Sequence, residues 1–158
     1  MKKIIMLFSI LATFAMSIES SVLAQTSIDH NKEIVTVETE MLEDGCVIET
    51  IIVEEIKFSR DSSKTGTKTV NYKNGSTTLW SVSVKGTYIY NGSATTCTNS
   101  RVSAISYSSY WKISGKSNSR SGNTAIAKAT GKRYTVGVVV QSITREVTLS
   151  CDKNGKLY

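Results

Sequence analysis

Three cysteines, one histidine and an uneven set of carboxylates are the groups of this 158-residue chain that could do covalent chemistry. Their spacing argues against most of it. His30, the only histidine, falls in a polar lead of residues 25–32, so no Ser-His-Asp or Cys-His constellation can assemble in the patterned part of the chain. Beyond residue 61 the only carboxylates are Glu146 and Asp152. Glycoside hydrolysis needs two acids flanking one bond, and six residues along a strand set this pair about 20 Å apart. A Glu from the acidic segment before residue 61 joining one of them is the arrangement the spacing leaves open. Metal ligands are equally scarce: there is no His/Cys cluster, and the Glu-rich segment lacks the Asp/Asn/Gly spacing of a calcium loop. Gly115-Lys116-Ser117 ends like a phosphate-binding loop, but Tyr110 stands where that motif needs glycine. No catalytic residue, metal or cofactor is expected, and the chain reads as non-enzymatic.

The cysteines are Cys46, Cys97 and Cys151. Cys97 and Cys151 both end β-patterned runs in the basic part of the chain, so a disulfide between them is expected. Closing that loop would stabilise by about 4 kcal/mol on the chain-entropy model. Cys46 is left over, as a buried thiol, a free exposed thiol or a bridge to a second copy.

Surface chemistry remains. Residues 29–61 carry ten acids and three bases, a net of −7, whereas residues 62–158 carry fourteen Lys/Arg and two acids, a net of +12. The acids are either a solvated face or a cover docked on the basic remainder, which would make the segment a removable pro-segment. The cations interleave with Tyr72, Tyr88, Tyr90, Tyr107, Tyr110, Trp111 and Tyr134. A basic face studded with aromatics suits anionic polymers such as teichoic acid, acidic glycans, nucleic acid or anionic lipid. The candidate binding residues are Tyr110, Lys112, Lys116, Arg120, Lys132 and Arg133. The competing reading puts the aromatics in the core and leaves the cations to solubility; Trp80 and Trp111 are core in either.

Positioning these groups falls to strands. Trp80, Val82, Val84, Tyr88 and Tyr90 alternate with smaller or polar residues, the period of a strand with one buried face. Gly86 is placed for a bulge, and Asn91-Gly92 for a type I′ turn with φ > 0 at both residues. The chain has no proline, and after residue 59 Ser and Thr interleave with Val, Ile, Tyr and Trp, the composition of half-buried strands. A hairpin is expected around Glu43-Asp44-Gly45, although its Glu-rich first arm could be helical. A polar boundary loop is expected at 58–67 and a loop at 116–123, with turns at 98–100 and 131–133. Seven to nine short strands at this spacing predict an antiparallel β-sandwich of residues 62–158, preceded by an acidic arm or hairpin of residues 25–61. Residues 1–24, with Lys2 and Lys3, an apolar run and Val22-Leu23-Ala24, read as a secretory signal of bacterial type. No second hydrophobic segment suggests a membrane span.

Cys97, Trp111 and Cys151 loosely resemble the Cys…Trp…Cys frame of immunoglobulin domains, with Leu149 where that frame has tyrosine. The stretch TTLWSVSVKGTYIYNGSATTC, followed by SYWKIS, SGNTAIAKATGKRYTVGV and VTLSC…NGKLY, resembles small secreted proteins of Gram-positive bacteria over about residues 68–158. That resemblance implies export and a disulfide-bearing β domain; it carries no activity, cofactor or binding residue. The expected function is a secreted binding module that engages an anionic cell-envelope polymer or a host surface glycan. The alternatives are a small secreted antagonist or bacteriocin-like toxin silenced by the acidic arm, and a self-assembling extracellular protein joined through strand edges or Cys46.

Overall fold

The computed structural model describes residues 32–56 and 62–158. The expected signal segment 1–24, His30 and residues 57–61 lie outside them. The described chain is all strand, without a helix: β1 (Lys32–Met41), β2 (Cys46–Glu55), β3 (Ser63–Asn74), β4 (Thr77–Tyr90), β5 (Thr95–Ser106), β6 (Trp111–Ser121), β7 (Thr124–Thr135) and β8 (Val138–Ser150). All pairings are antiparallel and sequential, giving a five-stranded sheet β1-β2-β3-β4-β5 packed on a three-stranded sheet β6-β7-β8. This is the expected β-sandwich. Neither sheet contains the Greek-key crossover of immunoglobulin domains, so that likeness stops at residue spacing.

The strand with the clearest alternation, β4, lies inside the larger sheet between β3 and the edge strand β5. Trp80, Val82, Val84 and Tyr88 of β4 are buried, and they face Ala125, Ala127 and Ala129 of β7 and Val147 and Leu149 of β8. Small side chains on β7 let the sheets approach large ones on β4, which is how two faces interdigitate at crystal-like density. The sheets approach closely at Gly131, where an added Cβ would lie 2.7 Å from the Trp80 indole.

The Glu-rich arm forms a strand because its apolar positions alternate and β2 supplies a partner over nearly its full length, with Val35 extruded as a bulge. The acidic hairpin is the outer part of the larger sheet: β2 pairs with β3 residue for residue from Cys46↔Asn74 to Glu55↔Thr65. Three acids of β2 dock on lysines of the next two strands, Glu49 on Lys73 at 2.8 Å, Glu55 on Lys85 at 2.5 Å, and Glu54 on Lys64. Ile48 and Ile52, on the same strand, belong to the core.

Several expected loops and turns are strand instead. Residues 63–67 pair with β4, residues 98–100 continue β5, residues 116–121 continue β6, and residues 131–133 lie within β7. Polar composition misleads in each place because one face of these strands meets water, where Ser, Thr, Asn and Lys are at home. The bulge lies at Thr98 of β5, opposite Thr87/Tyr88, rather than at Gly86. The β4–β5 link spans residues 91–94, with Gly92 alone at positive φ and the Asn91 side chain accepting from the Ser93 and Ala94 N–H groups.

The strands give the molecule two unlike ends. At the closed end, residues 151–158 fold back: Cys151 bridges Leu157, the Ser150 and Tyr158 backbones exchange hydrogen bonds, and Leu157 is buried against Gly66. At the open end lie the β1–β2, β3–β4 and β7–β8 turns and the β5–β6 loop.

Candidate functional site

The open end holds a cleft of about 430 Å³ between the sheets. Its floor is aromatic because the core ends there: Trp111, first residue of β6, packs edge-on to Tyr72 with ring centroids 5.5 Å apart and lies nearly parallel to Trp80 at 6.3 Å. One wall comes from the β1–β2 turn, with Asp44 and Cys46, and from Asn74 and Leu79. The other comes from Ser108 and Tyr110 of the β5–β6 loop and from Arg133 and Gln141, cross-strand neighbours on β7 and β8.

Hydrogen bonds fix the first wall. Asp44 Oδ1 accepts from the Cys46 N–H at 3.0 Å, and Asp44 Oδ2 accepts from the Tyr72 hydroxyl at 3.2 Å. Chiefly through that backbone N–H, the Asp44 carboxyl is held below the usual carboxylate range. Burial, reinforced by the neighbouring Cys46 and Asp44, pushes the Tyr72 hydroxyl well above the ordinary tyrosine value. The wall therefore presents a fixed carboxylate and a protonated phenol. The facing wall presents the Arg133 guanidinium, whose strand position directly opposes Trp111.

Of the six residues expected to bind, Tyr110 and Arg133 line this cleft. Lys112 and Lys132 are directly opposed on the outer face of the smaller sheet just below its rim, with the Lys112 ammonium 5.2 Å from the centre of the Tyr134 ring. The other two are elsewhere. Lys116 is exposed midway along β6, and Arg120, near its far end, donates to the Cys97 carbonyl at 3.4 Å, tying β6 to β5. Arg120 works there with Asn118, which donates to the Ser100 carbonyl at 2.7 Å. Sequence reasoning missed Asp44, Cys46, Asn74 and Gln141, and placed Trp111 in the core without seeing that one side borders a cleft. The available signal was that Asp44 and Asn74 each precede a turn glycine at the same end of adjacent strands.

The cleft contains one carboxylate. Glu146 lies on the outer face opposite Lys128, and Asp152 accepts from the Asn154 and Lys156 N–H groups at the closed end, which lowers its pKa. No acid pair flanks a common point there, and no group of three His, Cys, Asp or Glu among the described residues could hold a metal ion. A smaller polar depression of about 230 Å³ on the outer face of the larger sheet is lined by Glu55, Lys85 and Arg101 among others, with Glu55 and Lys85 already paired.

The expected disulfide is not formed: Cys97 and Cys151 are free, buried thiols. Each is turned to a nearby carbonyl, Cys97 to that of Asn99 and Cys151 to that of Asp152. Burial pushes both thiols up, that of Cys151 to about 11. Cys46, also free, is half-buried in the cleft wall. No helix among the described residues is long and apolar enough to cross a membrane. Comparison with protein-family models, curated proteins and solved structures finds no match to this chain.

Proposed function

We infer that the chain is a non-catalytic, exported binding module that takes an anionic envelope polymer or acidic glycan at its open end. The observation that carries this reading is the convergence there of Arg133, Lys112 and Lys132 with the exposed Tyr110 and the aromatic floor of Trp111 and Tyr72. Cations supply attraction to repeated phosphate or carboxylate groups, and the exposed Tyr110 ring, above a floor closed by Trp111 and Tyr72, supplies a face for a sugar unit. The direct opposition of Lys112 and Lys132 also supports it, because like charges across a strand pair destabilise the fold. A removable acidic segment is supported less well, since β2 carries core residues and pairs fully with β3.

The test is elution of the purified chain from an immobilised poly(glycerol phosphate) matrix by a salt gradient. Retention should fall with salt, and Arg133→Ala should elute earlier than Lys116→Ala. Salt-independent retention, or equal elution of the two variants, would rule the open end out as the site.

Export supports a second feature. Cys97 and Cys151 flank the β6–β7 turn, their N–H groups donating to the Gly122 and Asn123 carbonyls respectively. Outside the cell a thiol–disulfide oxidase would take two electrons and two protons from this pair and join it. Intact mass of the secreted protein should then rise by two hydrogens on reduction, and an unchanged mass would exclude the bond.

A further inference from the structure

We propose that the β7–β8 hairpin tip is a membrane-dipping element that inserts its valines into the headgroup boundary of an anionic lipid bilayer. The ribbon outruns its sheet. Strand β6 gives β7 a partner only as far as Trp111↔Arg133, while β7 and β8 continue to Thr135↔Val138. On this overhang Val136 is 98% exposed, and Val138, Val139 and Val140 are 64%, 44% and 55% exposed. A register shift at Arg133/Tyr134 leaves Val140 as an extra residue, so that three consecutive valines reach solvent.

The backbone is strained to keep the tip apolar. Val136, at φ 49°, is the only non-glycine among the described residues at positive φ, and Gly137 follows at 79°. A two-residue turn with both angles positive favours Asn-Gly, and a β-branched residue is the least suited to its first position. Strain of this kind persists where function holds it.

Below the valines come an aromatic level and then a cationic one. Tyr134 adjoins the overhang and bonds through its N–H to the Tyr110 carbonyl, and Tyr110 is itself exposed. Lys132 and Arg133 follow on the same strand. Apolar tip, tyrosine and cation repeat the sequence of layers met on leaving the acyl boundary of an anionic bilayer. From Tyr134 to the turn the ribbon reaches about 7 Å, the depth of interfacial segments rather than of a span. Among the described residues, the acids at this end are Glu40 at the end of β1 and Glu43 and Asp44 of the β1–β2 turn, all on the larger sheet's side, and Asp44 is occupied by Cys46 and Tyr72. A second copy is a poorer occupant, because it would bring the same cations against one another around a narrow convex tip.

Binding of polymer in the cleft uses none of the valines, so the two ideas fail separately. The experiment is co-sedimentation of the secreted chain, collected after export, with phosphatidylglycerol/phosphatidylcholine vesicles and with pure phosphatidylcholine vesicles. Val136→Asn/Val138→Thr keeps a turn-compatible and β-compatible pair, so its thermal midpoint should match or exceed that of the parent. The parent should partition onto the anionic vesicles at least ten-fold more strongly than this variant, with both remaining monomeric in sedimentation. Equal partitioning of the two chains would overturn the proposal, even if Arg133→Ala weakened both. So would a parent dimer that the variant abolishes without any vesicle binding.

Discussion

Buried groups that would have to ionise make alkaline pH the sensitive direction for this fold. Tyr88 is enclosed between the sheets with its hydroxyl donating to the Leu149 carbonyl, and burial raises its pKa well above 10. Tyr72 is raised by burial as well, and Cys151 moves from 9.0 to about 11. In each case the folded chain holds a proton that the unfolded chain releases. Their stabilisation is therefore complete below the unfolded values and drains as pH climbs past them, by about 1.4 kcal/mol per pH unit for each group. The urea midpoint should be steady to pH 8 and fall between pH 9 and 11. Cys151→Ala should make that fall shallower, as should oxidation of the Cys97–Cys151 pair. A midpoint unchanged from pH 8 to 10.5 would mean that these groups are not enclosed in solution.

Strand by strand, the acidic hairpin decides whether the molecule is one unit or two. Its ion pairs are only partly buried and contribute up to about 1 kcal/mol each. Its apolar side chains matter more: Ile48 and Ile52 are core residues, and Ile48 pairs with Tyr72 beside the tryptophans. A chain beginning at Ser62 should lose the near-ultraviolet circular dichroism of Trp80 and Trp111 or melt far below the parent. A native-like spectrum and melting point would restore the removable-segment reading. This hairpin also shows what was legible beforehand. Alternation in Val47–Val53 and in Trp80–Val84 marked strands correctly, because the period of two survives wherever one face is buried. It did not mark Lys116, Asn118 and Arg120, which oppose Ala129, Ala127 and Ala125 along β6 yet are polar, because there the strand runs beside the open edge of β5 and fills it with hydrogen bonds. Nor could spacing place Asp44 beside Tyr72, a contact made only once two hairpins lie side by side.

The whole molecule divides its labour by end. Tail, β4–β5 link and β6–β7 turn seal one end through backbone hydrogen bonds and the buried Leu157, while the other keeps its cleft, exposed tyrosines and apolar ribbon. An end kept open at a cost to stability should reveal that cost when its cations are changed. Lys112 and Lys132 face each other directly, and the Tyr134 ring, 5.2 Å from the Lys112 ammonium, offsets part of their repulsion. Lys132→Glu converts the pair to opposite charges. It should raise unfolding free energy by a few tenths to about 1 kcal/mol while moving elution from a polyphosphate-type matrix to lower salt. Opposite signs for the two readouts would mark the pair as kept for binding rather than for folding. If the variant were less stable, or were retained as well as the parent, the cations at this end would be ordinary surface, and the site would have to be sought on the Ser- and Thr-rich outer face of β6, β7 and β8.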